Sequence, residues 1–315
     1  MISRILSRKS VNDVCKRMLN QTVMSQINMP QTFDTSLRDG IQYINPNNMS
    51  FDIKQSIYDK IIREYSPECI EIGSLTSPKL LPIMKDTLEL HLYAEEIQKK
   101  NEESNRCLTY VLIPSLNKLQ NALDSGVYNF SFITSVSNEF QKKNTNRTIE
   151  DTKKEFHAIF DLLKNKKIYK TKLYISCINE CPIIGNIDND FIVHEILNYN
   201  KNYPFDTFCI SDTCGTLKFD DFEYIVDNIM FFGIPKEKIS IHLHYNDSNL
   251  DNVNKILWYC FSNGINKFDV SILHTGGCSI TMPENGGNLR NLDYDTLFAS
   301  FMRYLEYKQA FTTNE

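Results

Sequence analysis

The chain has 315 residues, a formal net charge of −5 and an apolar content of 42%, which is ordinary for one or two globular domains. Its charge gives no reason to expect a nucleic-acid partner, and no run of about 18 or more apolar residues predicts a membrane span. The nine cysteines are scattered and form no CxxC pair, which is typical of reduced thiols in an intracellular protein.

The first 29 residues are predicted to be an N-terminal extension or helix. Their basic residues are Arg4, Arg8, Lys9, Lys16 and Arg17, against the single acid Asp13. Such a segment is either an ordinary helix that covers the bottom of a domain or a mitochondrial transit peptide. The cytoplasm is therefore the first expectation for the location of the protein, and the mitochondrion is the alternative.

From residue 30 onward, short β-branched runs alternate with longer amphipathic segments. The predicted strands are 32–37, 69–73, 108–114, 129–136, 172–177, 206–213, 238–245 and 267–272, and the predicted helices include 54–65, 149–165, 190–200, 220–232, 252–263 and 293–307. This alternation indicates βαβ units and a parallel sheet. Eight units predict an α/β fold of the closed (β/α)₈ TIM-barrel type, with an outer ring of helices, as one catalytic domain over 30–315. An open doubly wound sheet is less favoured, because no glycine-rich phosphate loop follows the first strand.

Unusual polar residues stand near the C-terminal ends of these strands, where the active sites of such barrels lie. They are Arg38 and Asp39 after strand one, Glu71 in strand two, Asp212 at the end of strand six, His242 and His244 in strand seven, and Cys278 and Asn288 after strand eight. The barrel is expected to bring these distant residues to one mouth.

The pair His242 and His244 carries the clearest chemical signal. Residues i and i+2 of a strand point to the same face, so two imidazoles would converge. Converging imidazoles suit a divalent cation, and Asp39 is the expected oxygen ligand. A single histidine in a strand, by contrast, is more often a core residue with satisfied hydrogen bonds. Gly40 is expected to permit a turn that delivers both Arg38 and Asp39 to the site, through a backbone conformation closed to other residues.

The glycine-rich segment around Cys278 allows two interpretations. An accessible thiol near a cation would have a lowered pKa and could exchange protons. The same glycines could equally form a plain connection with a buried cysteine.

Five motifs occur in an order that resembles a known group of enzymes. FDTSLRDGIQ, IEIGS, SDTCG, HLH and GGC…GN are similar to the metal-dependent barrel lyases and synthases whose first strand ends in Arg-Asp-Gly-x-Gln. Within that group the chain most resembles the hydroxymethylglutaryl-CoA lyases. The stretches that carry this resemblance are 69–86, 135–152 and 174–182, and the likeness covers about residues 30–305.

The resemblance implies a magnesium- or manganese-dependent lyase that splits hydroxymethylglutaryl-CoA into acetyl-CoA and acetoacetate, as in ketone-body formation and leucine degradation. It implies metal ligands at Asp39, His242, His244 and Asn288, and a reaction centre with Arg38, Glu71, Asp212, His242 and Cys278. In that reaction Asp39 or His242 would take the hydroxyl proton, Arg38 would face the enolate oxygen, and Cys278 would return a proton to carbon. It also implies an acyl-CoA partner and a homodimer.

Departures from the family pattern keep two other functions open. Tyr245 stands between His244 and the Asn246–Asp247 pair, and no glycine follows soon after. One extra residue after Cys278 makes Asn285 an alternative ligand to Asn288. The other functions are a condensing synthase, similar to isopropylmalate and homocitrate synthases, and a metal-binding barrel without catalysis.

Overall fold

The computed structural model describes residues 28–100, 106–166, 169–277, 280 and 289–312. Eight parallel strands of this part close into a barrel in chain order, which confirms the predicted fold. They are β1 (Gln31–Asp34), β2 (Cys69–Ser74), β3 (Leu108–Leu112), β4 (Asn129–Ser135), β5 (Lys170–Ser176), β6 (Thr207–Ser211), β7 (Ile239–His242) and β8 (Lys267–Val270). Strand β8 pairs with β1 and completes the ring. The basic segment predicted at the N-terminus lies outside the described residues, apart from residues 28 and 29.

Helices surround the barrel. They are α1 (Phe51–Lys60), α2 (Thr87–Gln98), α3 (Leu116–Asp124), α4 (Asn138–Thr145), α5 (Ile149–Leu163), α6 (Asn189–Asn202), α7 (Phe219–Phe231), α8 (Leu250–Asn263) and α9 (Tyr294–Thr312). The sequence prediction did not include α2, α3 and α4. In α2 the leucines at 88, 90 and 92 alternate as in a strand, which conceals the helical period. None of the described helices is long and apolar enough to cross a membrane.

The strand β1 ends at Asp34, three residues earlier than predicted. The Asp34 carboxylate accepts a hydrogen bond from the Ser36 backbone at 2.8 Å, a local bond that competes with continued pairing. The backbone N–H groups of Arg38 and Gly40 then both donate to the Thr35 carbonyl at 3.1 Å. Arg38 and Asp39 therefore lie in a turn beyond the strand, not at its end.

Gly40 is required for its small size, so the conformational explanation offered from the sequence is wrong. Its φ is not positive. A Cβ atom at this position would lie 2.8 Å from the Ser36 carbonyl oxygen and 2.8 Å from the Ser271 hydroxyl. The turn that carries Asp39 thus packs against β8 at a distance that only glycine allows.

The predicted strand 238–245 is interrupted after His242. Residues His244–Tyr245 leave the barrel and pair antiparallel with Arg290–Asn291, with His244 opposite Asn291. We call this four-residue pairing the mouth ladder. It ties the second histidine to the chain segment that follows the glycine-rich loop.

Polar side chains meet inside the barrel. Lys172 of β5 pairs with Asp269 of β8, and Tyr174 of β5 donates to Glu71 of β2 at 3.0 Å. Neither pair joins neighbouring strands, so both contacts cross the barrel interior. The large apolar side chains instead form the extensive core in which helices and strands pack, as Phe132, Phe156 and Phe205 do.

The seven cysteines of the described residues are all free thiols.

We expect Gly40→Ala to lower the free energy of unfolding by about 1–3 kcal/mol, because the added methyl overpacks the Ser36 and Ser271 contact. Denaturant unfolding measures this change. Gly126→Asn is the control: Gly126 has a φ of +76° with open space around it, and asparagine tolerates that conformation, so its effect should stay within about 1 kcal/mol. A Gly40→Ala variant as stable as wild type would contradict the packing argument.

Candidate metal centre

Three of the predicted ligands converge at the mouth of the barrel. The ligand atoms of Asp39, His242 and His244 all lie within 4.8 Å of one another, and each residue is about 5% exposed. The His242 and His244 Nε2 atoms are 3.4 Å apart, and His244 Nε2 lies 3.5 Å from Asp39 Oδ2. The histidines converge even though they do not share one continuous strand.

The surroundings of the two imidazoles define their tautomers. His244 Nδ1 lies 2.7 Å from the Asp212 carbonyl oxygen, and His242 Nδ1 lies 3.2 Å from an oxygen of Asp269. Both partners are acceptors, the Asp269 oxygen when ionised, so each Nδ1 carries the proton of a neutral ring. The Gly277 N–H donates to His244 Nε2 at 2.9 Å, so that nitrogen carries a lone pair, which a cation would take in place of this hydrogen bond. Two Nε2 lone pairs and a carboxylate oxygen therefore face one another, which is a donor set that fits a divalent cation.

Electrostatics favour an ionised Asp39 and a neutral His242. Burial would raise the pKa of Asp39, but Arg38 and the two histidines outweigh it and hold that pKa well below its ordinary value. Burial lowers the pKa of His242, whereas the Asp39 carboxylate outweighs burial at His244 and raises its pKa. Asp39 is thus ionised over the physiological range, as a cation ligand must be.

Arg38 is held between two carboxylates. Its Nε donates to Glu71 Oε2 at 2.5 Å and its Nη1 donates to Asp39 Oδ1 at 2.5 Å. Glu71 is fully buried and also accepts from Tyr174 and from Ser131. Glu71 therefore fixes the guanidinium, and Arg38 is joined directly to the candidate ligand Asp39. The sequence had suggested separate roles for the two adjacent residues, and this ion pair links them.

Asp212 contacts the site through its backbone. Its carboxylate Oδ1 accepts from the N–H groups of Gly215 and Thr216 at 2.9 and 3.1 Å, while its carbonyl oxygen orients His244. Burial raises the pKa of the Asp212 carboxyl to about 6. This carboxyl therefore titrates close to neutral pH, as a general base commonly does.

Asn291 is a site residue that sequence reasoning missed. Its side-chain amide donates to Asp39 Oδ2 at 2.8 Å and to the Thr275 carbonyl at 2.9 Å. The residue is 2% exposed, and its Oδ1 has no hydrogen-bond partner among the described residues. The mouth ladder places it opposite His244. Its only signal in the sequence is its position three residues after the predicted ligand Asn288.

Three predicted residues, Cys278, Asn285 and Asn288, lie outside the described residues.

Tyr245, the residue that departs from the family pattern, has a structural role in the described part. Its hydroxyl donates to Asp293, and the Arg290 guanidinium lies 5.0 Å from the centre of its ring. Arg290 in turn pairs with Asp247. The loop after His244 is thereby held to Arg290 of the mouth ladder by Asp247, while Tyr245 is held to Asp293 just beyond the ladder.

We expect Asn291→Leu to weaken Mn²⁺ binding by about 10–100-fold, because it removes the donor that orients the Asp39 carboxylate at similar side-chain volume. Titration calorimetry on the folded protein measures the affinity. Asn202→Leu, on an exposed helix end, is the control and should bind Mn²⁺ as wild type does. Equal affinities for the two variants would remove Asn291 from the site.

Comparison with known proteins points to one family. Residues 29–295 match the family model described as HMGL-like. The mitochondrial hydroxymethylglutaryl-CoA lyase of Macaca fascicularis is 28% identical over 254 residues, which cover 79% of this chain and 72% of the relative. A Pseudomonas aeruginosa protein named 3-hydroxy-3-isohexenylglutaryl-CoA/hydroxy-methylglutaryl-CoA lyase is 25% identical over 213 residues. That alignment covers 66% of this chain and 65% of the relative, so it spans just under two thirds of the relative's length.

Solved structures agree in fold. The crystal structure of the Pseudomonas aeruginosa hydroxymethylglutaryl-CoA lyase superposes with a TM-score of 0.71 at 21% identity, covering 84% of this chain and 82% of that one. An Acinetobacter baumannii HMG-CoA lyase in complex with coenzyme A and 3-methylmalate gives a TM-score of 0.70 at 21% identity, with coverage of 85% and 82%. The family match runs through the whole barrel and includes all three converging ligands. The chain therefore belongs to the HMGL-like family.

Proposed function

We propose that this protein is a divalent-cation-dependent carbon–carbon lyase that cleaves hydroxymethylglutaryl-CoA into acetyl-CoA and acetoacetate. The observation that carries the proposal is the convergence of two imidazole lone pairs and the Asp39 carboxylate beside the buried Arg38. The names of the relatives supply the substrate, and the family supplies the metal-dependent chemistry. Roles in ketone-body formation and leucine degradation would follow from these products.

The cation, Mg²⁺ or Mn²⁺, would be held by Asp39, His242 and His244. We propose Asn288 as a further ligand, with Asn285 as the alternative. When bound, such a cation supplies Lewis-acid polarisation of a substrate oxygen and a template for the substrate. We further propose that the protein is a homodimer, that residues 30–315 form a single catalytic domain, and that the protein lies in the cytoplasm or the mitochondrion.

Arg38 would stabilise the negative charge that develops as the carbon–carbon bond breaks. The electron pair of that bond passes to the acetyl-CoA fragment, which leaves as an enolate. Among the described residues, Glu71 and Asp39 bind Nε and Nη1 of Arg38, so the guanidinium plane is fixed. Nη2 and the second N–H of Nη1 are then left to donate to a substrate oxygen. A planar, permanently charged donor in a buried position suits a developing oxyanion.

Proton transfer needs a base for the substrate hydroxyl and an acid for the enolate carbon. His242 was a candidate for both ligand and base, but a single Nε2 lone pair cannot hold a cation and accept a proton. The pKa of Asp39 is too far below its ordinary value for an efficient base. We therefore propose the Asp212 carboxyl for the hydroxyl proton, because the residue adjoins His244 through its carbonyl oxygen and burial raises the pKa of its carboxyl to about 6. Cys278, one residue after Gly277 and its contact with His244, would return a proton to carbon.

The first experiment measures cleavage of hydroxymethylglutaryl-CoA after chelation and after addition of Mg²⁺ or Mn²⁺. We expect chelation to abolish turnover and either metal to restore it. His244→Ala should lose most of its Mn²⁺ affinity, whereas His194→Ala, whose side chain is 75% exposed, should bind normally. Wild-type affinity in His244→Ala would contradict the proposed site.

The same assay separates the other two functions. Condensation of a keto acid with acetyl-CoA, in the absence of lyase activity, would identify a synthase. Metal binding without either reaction would identify a barrel that only binds the cation.

The second experiment addresses Arg38. We expect Arg38→Met to lower turnover by about 10²–10³, the scale for the loss of one oxyanion partner. Mn²⁺ binding should be retained, because Asp39 keeps its charge and loses a competing cation. Arg38→Lys should recover only part of the turnover, because an ammonium group cannot make both fixed contacts. Steady-state kinetics and calorimetry measure both effects, with the exposed Arg63→Met as the control. A raised Michaelis constant with intact turnover would make Arg38 a binding residue only.

A further inference from the structure

Lys172 is a buried cation that the reaction proposed above does not use. It lies in β5 and is 2% exposed. Its ammonium group pairs with Asp269 Oδ1 across the barrel and lies 3.5 Å from the Phe33 ring centre and 4.6 Å from that of Tyr174. Burial of an ammonium group is costly unless a partner compensates it, so a lysine at this depth needs a reason.

The partner of Lys172 has a second contact that leads to the metal centre. Asp269 Oδ2 lies 3.2 Å from His242 Nδ1 and also accepts a weak hydrogen bond from the Cys209 thiol at 3.7 Å. One carboxylate oxygen therefore faces the lysine and the other faces the histidine. The three side chains form a continuous row, Lys172–Asp269–His242, from the barrel interior to its mouth.

We propose that Lys172 is a positioning residue for the metal centre: it fixes the Asp269 carboxylate, and this carboxylate fixes the His242 ring with Nε2 towards Asp39 and His244. The inference rests on the proposed function, because it assumes that His242 binds a cation. Carboxylates that accept from the second nitrogen of a ligating histidine commonly contribute 10–100-fold to metal affinity. The ion pair restricts rotation of the carboxylate, so the effect of Lys172 should approach that of Asp269 itself.

A purely structural role makes a different prediction. If the Lys172–Asp269 pair only connects β5 and β8, its removal would lower stability and leave the metal affinity of the folded protein unchanged. Lys172→Met removes the charge at similar length and leaves the Asp269 carboxylate without its partner. The double variant Lys172→Met/Asp269→Asn removes both charges, and its amide oxygen can still accept from His242 Nδ1. Because no ion pair restricts rotation of this amide, the positioning role predicts that the double variant binds metal no better than Lys172→Met does.

The test is Mn²⁺ binding by calorimetry to each folded variant, with thermal unfolding as a check on folding. We expect Lys172→Met and the double variant to bind about 10–100-fold more weakly, and Lys172→Arg to recover most of the loss. Recovery in the double variant would contradict the positioning role and assign the loss to an unpaired buried charge. Lys238→Met is the matched control, because its lysine also lies beside a phenylalanine ring, Phe208, but contacts the Phe205 carbonyl instead. It should bind Mn²⁺ normally.

A second readout needs no metal. Long-range ¹⁵N–¹H spectra of the imidazole rings distinguish a proton on Nδ1 from one on Nε2. We expect His242 to carry its proton on Nδ1 in wild type and in Lys172→Arg, and to populate both tautomers in Lys172→Met. If the wild-type protein binds Mn²⁺ and folded Lys172→Met binds it equally tightly, this inference alone would be overturned. Failure of the wild-type protein to bind Mn²⁺ would overturn the proposed function and this inference with it.

Discussion

The polar interior of this barrel depends on the compensation of buried carboxylates by two buried cations. Arg38 lies between Glu71 and Asp39, and Lys172 pairs with Asp269. These three carboxylates, with Asp212 in addition when it is ionised, outnumber the two cations, so the mouth carries net negative charge when the histidines are neutral. A divalent cation is attracted to such a site. The positive charge expected of the bound ion thus follows from the charged side chains that the barrel buries.

Compensation also restricts the geometry of the site. A carboxylate without a partner in this interior would be strongly destabilising, so each charged group is confined to the geometry in which its partner reaches it. Glu71 illustrates the point, since it receives Arg38, Tyr174 and Ser131 at once. Orientation of the guanidinium is then a property of the folded barrel and need not await substrate.

The alternation of strand and helix patterns was enough to predict the barrel from sequence. Predicted strand 69–73 corresponds to Cys69–Ser74, and 129–136 corresponds to Asn129–Ser135. Residue chemistry then identified Asp39, His242 and His244 as a cluster. Periodicity could not identify Asn291, because it acts through two-residue strands too short to show a period. It could not pair Lys172 with Asp269 either, since alternation assigns a side chain to a face and not to a partner across the barrel.

The mouth ladder has a consequence for the order of events during synthesis. Asp39 and the amide that orients it, Asn291, are separated by 252 positions in the chain. A nascent chain that has released only its first half holds Asp39 but neither histidine, and it gains the amide after almost all of the barrel has been translated. Contacts of such long range form late, because the intervening chain must first be ordered. A cation that required Asp39 and both histidines would therefore be bound only after most of the barrel had been translated, too late to guide early folding.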